Sequence, residues 1–323
     1  MKQPLLIHGL RRSVLLTLAR LKLLANGGIV TTKFERDQAG FLRVTPLPDK
    51  SDLAAYYASD YYQNPHGTYS QEYSAEEIEH KRIRCNFIFR VATESFNESG
   101  SFLDVGCGEG FLLDSFQSRG WKSLGLDFSR FGIEKFNPHL VSSFIEGDIY
   151  DSLELYKSQK IEFDCVNLGN VLEHVLDPLA LLNSIAFLLS KKGVLVITVP
   201  NDFSQLQLML AETGAIADRY WIKIPDHLNY FSYQSLWSLV SQSGLVPIDV
   251  FADFPIEWFL ANESSNYSKN KAVGTFAHSA RVKLDSFITD QEDFEAVKKF
   301  WSAMAQVGQG RTITLLCQKL NNS

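Results

Sequence analysis

At 323 residues, with 45% hydrophobic and 21% charged side chains, the chain can bury one large core with additions or two modest ones. Its net charge of −6 and pI near 5.7 repel phosphate backbones, which argues against nucleic acid as a partner. Cys85, Cys107, Cys165 and Cys317 stand far apart without a CxxC pair. Neither a zinc site nor a disulfide framework is encoded, and a reducing cytoplasm fits.

The run from Pro4 to Leu24 is apolar but broken by Arg11, Arg12, Arg20 and Lys22. That pattern suits neither a signal peptide nor a spanning helix, which needs about 20 nearly uncharged residues. Ile7, Leu10, Val14, Leu18 and Leu21 share one helical face, and residues 1–34 carry six basic side chains and no acid. The expectation is a helix packed on the main domain or on a second copy in a homo-oligomer. The alternative is peripheral contact of residues 1–24 with an anionic membrane surface. Short strands around Gly27-Gly28 and Pro46-Leu47-Pro48 come next, then a tyrosine-rich stretch over 52–73 and a helix over 75–94.

From residue 101 a strand and helix alternation begins. SFLDV (101–105), KSLGLD (122–127), SSFIEGD (142–148), FDCVNLG (163–169) and GVLVITVP (193–200) read as strands. Helices fall near 111–119, 130–136 and 177–190. The spacing predicts an α/β fold, a Rossmann-like doubly wound sheet. A helix over 233–243, a strand over 246–251, a mainly helical stretch over 255–310 and a strand over 312–319 complete the chain. The sheet is therefore expected to be mostly parallel with an antiparallel last strand. The expected organisation is an N-terminal helix and cover segment over 1–80, a core over 81–254, a helical insertion over 255–310 and a last core strand over 311–323.

The sharpest chemical signal is LDVGCGEG, residues 103–110. Gly106, Gly108 and Gly110 follow a buried strand and precede a helix, where a ligand can lie against backbone that lacks Cβ atoms. A GxGxG turn alone also suits nicotinamide and flavin sites. Asp104, just before it, attracts an ammonium group but opposes a pyrophosphate, so a ligand with an amino acid end and no phosphate is favoured. Asp127 ends the second strand, where a carboxylate can accept both ribose hydroxyls. Asp148 ends the third, in position for an adenine amino group; its alternative role is a helix N-cap before Tyr150.

LDVGCGEG, GLD, EGD and FDCVNLGNVLEHVLDP (163–178) together resemble the class I S-adenosylmethionine-dependent methyltransferases, in the branch holding ubiquinone-biosynthesis and sugar methyltransferases. DHLNYFSYQSL (226–236) is similar to a later element of that branch. The resemblance implies S-adenosyl-L-methionine as cofactor, with Asp104, Gly106, Gly108, Asp127 and Asp148 in contact with it and Asn170 near its methionine end. PLPDKSDLAAYYASDYY (46–62) resembles the segment preceding the core in methyltransferases of bacterial polysaccharide clusters, which implies a tyrosine-rich cover and a sugar or other small-molecule acceptor. The N-terminal cysteine cluster of some sugar C-methyltransferases is missing.

Methyl transfer from a sulfonium is an in-line displacement, so alignment dominates, and a base matters when the acceptor is a hydroxyl or a carbon acid. His227, beside Asp226 and three positions before Tyr230, is the first candidate base, with Tyr230 a further catalytic candidate. His174 is the second, although a structural role in its loop is the preferred expectation. Asn266-Tyr267 and the Arg281/Lys283 pair are candidates to meet the acceptor. No His, Asp or Glu cluster has metal-ligand spacing, so transfer is expected to need no metal. The competing functions are a non-catalytic S-adenosylmethionine-binding subunit and an NAD-dependent sugar oxidoreductase.

Overall fold

The first elements among the described residues are three short antiparallel strands: β1 (Ala19–Arg20), β2 (Thr31–Arg36) and β3 (Leu42–Thr45). Helix α1 (Ala75–Thr93) starts where the Ser74 hydroxyl accepts the Glu77 N–H and the Glu77 carboxylate accepts the Ser74 N–H. Then come β4 (Ser101–Val105), α2 (Phe111–Gln117), β5 (Lys122–Asp127), α3 (Phe131–Phe136), β6 (Phe144–Glu146) and α4 (Ile149–Gln159). Next are β7 (Phe163–Gly169), α5 (Pro178–Leu188), β8 (Leu189–Pro200) and α6 (Gln205–Glu212). β9 (Asn229–Tyr230), α7 (Tyr233–Gln242) and β10 (Leu245–Ala252) precede the helices of the insertion, α8 (Gly274–Thr289) and α9 (Phe294–Gln306), and β11 (Thr312–Lys319) follows. This is a computed structural model that describes residues 19–20, 31–49 and 72–319. The expected N-terminal helix and nearly all of the tyrosine-rich cover lie outside the described residues.

The main sheet has seven strands in the order β10-β11-β8-β7-β4-β5-β6. β8, β7, β4, β5 and β6 pair in parallel, and β11 runs antiparallel to both β8 and β10. The predicted doubly wound architecture and the antiparallel last strand are therefore present. The strand order reverses beside β4, which opens a crevice at the carboxyl ends of β4 and β7, where sheets of this kind receive ligands.

Two elements differ from expectation. The third core strand shrinks to Phe144–Glu146 because Pro138 starts a 3-10 turn that occupies Pro138–Ser143. Asn229–Tyr230, read as part of a loop, pairs with Leu42 and Arg43 of β3 and closes a second, four-stranded sheet. The expected segment border at residue 80 falls inside α1, whose C-terminal half packs into the core through Phe87, Val91 and Ala92. No helix among the described residues is long and apolar enough to cross a membrane.

The core is anchored by aromatics between the sheet and its helices. Phe102 of β4 stacks on Phe116 of α2 with ring centroids 3.7 Å apart, and Trp121 and Phe89 meet Phe116 edge-on. Such pairs contribute beyond the area they bury. Phe116 is fully buried, so Phe116→Ala should lower the unfolding free energy by about 3–5 kcal/mol. Denaturant titration would read this directly. A loss below about 1 kcal/mol would mean the cluster closes over the gap.

Candidate active site

β4 ends in Asp104 and Val105, and the chain then turns through Gly106, Gly108 and Gly110, all with positive φ (73°, 52° and 77°). A Cβ on Gly106 would lie 2.5 Å from the Val171 side chain, so the turn has no room for one. Asp127, at the end of the neighbouring β5, accepts the Gly108 N–H at 2.9 Å and the Ser129 N–H at 3.1 Å. A carboxylate offers about four acceptor positions, so these bonds orient Asp127 without exhausting it.

Asp104 is 2% exposed and accepts a 2.7 Å hydrogen bond from the Asn167 side chain. Burial pushes its pKa up to about 7; the Asn167 bond acts the other way, and nearby Asp127 adds to the rise. Asp104 lies against a cavity of about 400 Å³. The sheet side contributes Asp104, Gly106, Asn167 and Gly169; α1 brings Arg84 and α8 brings His278 and Arg281. Arg84 donates to the Ala252 carbonyl through Nη2, while its buried Nη1 has no hydrogen-bond partner and lies 3.8 Å from Asp285. An acid and a guanidinium bordering one cavity suit the ammonium and carboxylate of an amino acid end.

His278 Nε2 lies 2.8 Å from Glu77 Oε1. Burial works against the Glu77 charge, but the Ser74 N–H and His278 hold its pKa below the usual carboxylate range. His278 is thus an oriented imidazole at the cavity.

The remaining expected residues are dispersed. Asp148 is exposed and its carboxylate accepts the Tyr150 N–H at 2.7 Å, so the helix cap weighed as its alternative role is realised at α4. Asn170 is exposed with φ 56°, just past Gly169 and outside the cavity lining. Arg281 lines the cavity, whereas Lys283 is exposed on α8 near Glu76, and the Asn266 side chain is spent on the Ala215 and Leu260 carbonyls.

Neither proposed histidine lines this cavity. His174 Nδ1 lies 2.7 Å from the Asp226 carbonyl and 3.3 Å from its carboxylate. Burial opposes charge on His174, but Asp226 and Glu173 outweigh it and push the pKa up to about 9. A ring already protonated at neutral pH is no base, which agrees with the structural role expected for it. His227 is 4% exposed, packed edge-on against His174, with its ring nitrogens 3.7 Å from Asp202 and from Asp226. Asp202 in turn binds Arg311 at 2.7 Å. Tyr230 packs against Phe34 and Phe203, and its hydroxyl donates to the His227 carbonyl. It borders a separate cavity of about 390 Å³. His227 and Tyr230 thus lie away from the Asp104 cavity, buried where Leu228 and Asn229 bind the Glu173 carbonyl and draw their loop inward.

Linear spacing showed no metal signature, yet folding brings Glu173, His174 and His227 together with ligand atoms within 4.8 Å of one another. A ligating imidazole must be neutral, and here His174 serves Asp226 and Glu173 as a cation.

Comparison with known proteins adds the following. A family model described as a methyltransferase domain matches residues 53–250. The ubiquinone biosynthesis O-methyltransferase of Dinoroseobacter shibae is 29% identical over 174 residues, 51% of this chain and 70% of that one. That of Ruegeria pomeroyi is 27% identical over 65% of this chain and 88% of its own length. Among solved structures, the 1,6-didemethyltoxoflavin-N1-methyltransferase of Burkholderia thailandensis covers 89% of this chain and 98% of its own, at 14% identity and TM-score 0.48.

The raised pKa of Asp104 has a sign that can be measured. An ammonium ligand binds the ionised form, so below about pH 7 a proton must leave before binding. The dissociation constant of S-adenosylhomocysteine should be level above about pH 8 and should rise toward about tenfold per unit below pH 7, with proton release seen by calorimetry in buffers of different ionisation enthalpy. Asp104→Asn should weaken binding and abolish the slope. A flat profile in the parent protein would place the ammonium elsewhere.

Proposed function

The chain belongs to the methyltransferase-domain family and is an S-adenosylmethionine-dependent methyltransferase, and from that premise we propose that it methylates a hydroxyl oxygen of a small molecule held in the Asp104 cavity. The observation that carries the proposal is the buried, high-pKa Asp104 under a turn of three positive-φ glycines, bordering the same cavity as an imidazole oriented by a carboxylate. Transfer to oxygen is supported by the relatives, which are named ubiquinone biosynthesis O-methyltransferases. The sugar or glycan acceptor finds no such support, so the acceptor class here is a small-molecule hydroxyl.

When bound, the donor supplies a methyl group on a sulfonium for in-line displacement. Asp104 takes the donor's ammonium and Arg84 its carboxylate. Gly106 keeps the backbone clear of side chain at the contact. Asp127 takes the ribose hydroxyls, its carboxylate already aimed by two backbone N–H groups. Asp148, just past β6 at the carboxyl edge of the sheet, would meet the adenine amino group. His278, paired with Glu77, accepts the proton of the acceptor hydroxyl, a contribution of about 10²–10⁴-fold for a positioned base. The His174–His227 pair holds the two loops beside the cavity in register.

Incubation with methyl-labelled S-adenosylmethionine and a panel of catechols, phenols and hydroxy acids should give an O-methyl ether, identified by mass spectrometry. Label on nitrogen alone, or no product from any acceptor despite tight S-adenosylhomocysteine binding, would overturn it; the latter result favours a non-catalytic subunit. His278→Ala should cut turnover by about 100-fold with donor affinity unchanged. His227→Ala should lower the melting temperature and leave the turnover of the folded fraction within about threefold, since a group removed from the scaffold acts on stability. The reverse pattern would restore His227 as the base.

A further inference from the structure

The cations around the Asp104 cavity differ in how they are partnered. His278 is hydrogen-bonded to Glu77, Lys81 pairs with Glu109 at 2.9 Å, and Asp285 lies 3.1 Å from His80 and 3.8 Å from Arg84. Arg281 also lines the cavity, is partly buried, and makes no ion pair or hydrogen bond with any described residue. Of the acids near it, Asp285 accepts the Phe254 N–H and the Thr289 hydroxyl, and Asp253 accepts the Thr312 N–H at 2.7 Å. Arg281 acts on buried Asp253 through its charge alone, with no hydrogen bond or ion pair between them. A partly buried guanidinium with no hydrogen bond or ion pair to any described residue marks a place for an anion.

On the methyltransferase reading above, the donor does not fill that place. Its ammonium and carboxylate are taken by Asp104 and Arg84, and it adds a sulfonium, so it brings no negative group to Arg281. We propose that the acceptor is an anionic hydroxy compound whose negative group, a carboxylate or a phosphate, is bound by Arg281. His278 and Arg281 stand three residues apart on α8 and both line the cavity. Residues at that spacing are about 5–6 Å apart at Cβ, so the helix presents a base and an anion anchor side by side. The hydroxyl to be methylated therefore lies within a few bonds of the acidic group.

The test uses the full chain saturated with S-adenosylhomocysteine, so that Arg84 is occupied, and follows binding of benzoate, inorganic phosphate and neutral benzyl alcohol by calorimetry. At least one anion should bind and benzyl alcohol should not. Arg281→Gln should weaken that binding by about tenfold or more, as expected for a lost charge-assisted pair, while Lys283→Gln on the same helix leaves it unchanged. Arg281→Lys should recover part of it, which separates loss of charge from a disturbed fold. Preference for benzoate assigns a carboxylate and preference for phosphate a phosphate. Anion binding that is absent, or indifferent to Arg281→Gln, with S-adenosylhomocysteine still bound, overturns the inference alone. Failure of S-adenosylhomocysteine to bind overturns the methyltransferase reading beneath it.

Discussion

Asp104 is a carboxylate at the end of a central parallel strand, where burial penalises its charge until a cation arrives. The geometry around it keeps that place open. Its partner in the β5 register is Gly125, whose missing Cβ would have met Cys107 Sγ at 2.8 Å and Leu113 at 2.9 Å. Gly132, at the start of α3, likewise lacks a Cβ that would press on the Gly108 carbonyl at 2.8 Å. With β5 and α3 pressed this close, the turn over 106–110 cannot relax into the space above Asp104. Asp127 pins the same turn from behind through the Gly108 N–H. Glycines on three successive elements thus keep the backbone packed tightly around one buried acid.

Beside this cavity is a second polar centre with a different task. Glu173, Asp202 and Asp226 are buried with His174, His227 and Arg311. Removing one partner from such a network strands a charge in low dielectric, so its members are bound to each other more than to any ligand. The backbone follows the same logic. The Glu173 carbonyl accepts the Leu228 and Asn229 N–H groups, and the Asn229 amide returns to the Leu172 and Val175 carbonyls. Asn229 and Tyr230 then pair with β3, so the loop after β7, the loop before α7 and the N-terminal hairpin form one unit. The LEHV and DHLNYF motifs are a clamp between segments more than 50 positions apart in sequence.

The legible parts of the chain were those where local pattern and tertiary role coincide. β8 is buried from Val194 to Ile197 and β-branched at Val194, Val196 and Ile197, and the glycine turn follows a buried strand, so both could be read without knowing any partner. The position of Asp104 and Asp127 at neighbouring strand ends is legible for the same reason: strand order puts strand ends together. The burial of His227 is not legible, because an Asp-His pair in a loop reads the same whether the loop faces a cavity or a core. Arg84, His278 and Asn167 were missed for the opposite reason. Arg84 and His278 sit on helices outside the motif-bearing core, on α1 and α8, and become neighbours only when the insertion folds back. Asn167 was hidden inside a strand, where a polar residue flanked by Val166 and Leu168 gives no hint that its amide faces Asp104. A signal did exist for the cavity wall. α1 carries His80, Lys81 and Arg84 within five positions, a basic cluster dense enough to need an anionic counterpart.

That imbalance bears on the chemistry as well as on recognition. Arg281 and Arg84 border a cavity in which the reacting sulfur begins positive and ends neutral. Cations placed there raise the energy of the charged ground state more than that of a transition state in which the charge is already dispersing, which is the differential effect that accelerates a step. On the proposed reading, a guanidinium beside His278 would stabilise an acceptor oxygen that is losing its proton. An acidic group on Arg281 would offset the charge that the donor's sulfonium adds. Positive charge would then be divided between one guanidinium for the donor and one for the acceptor.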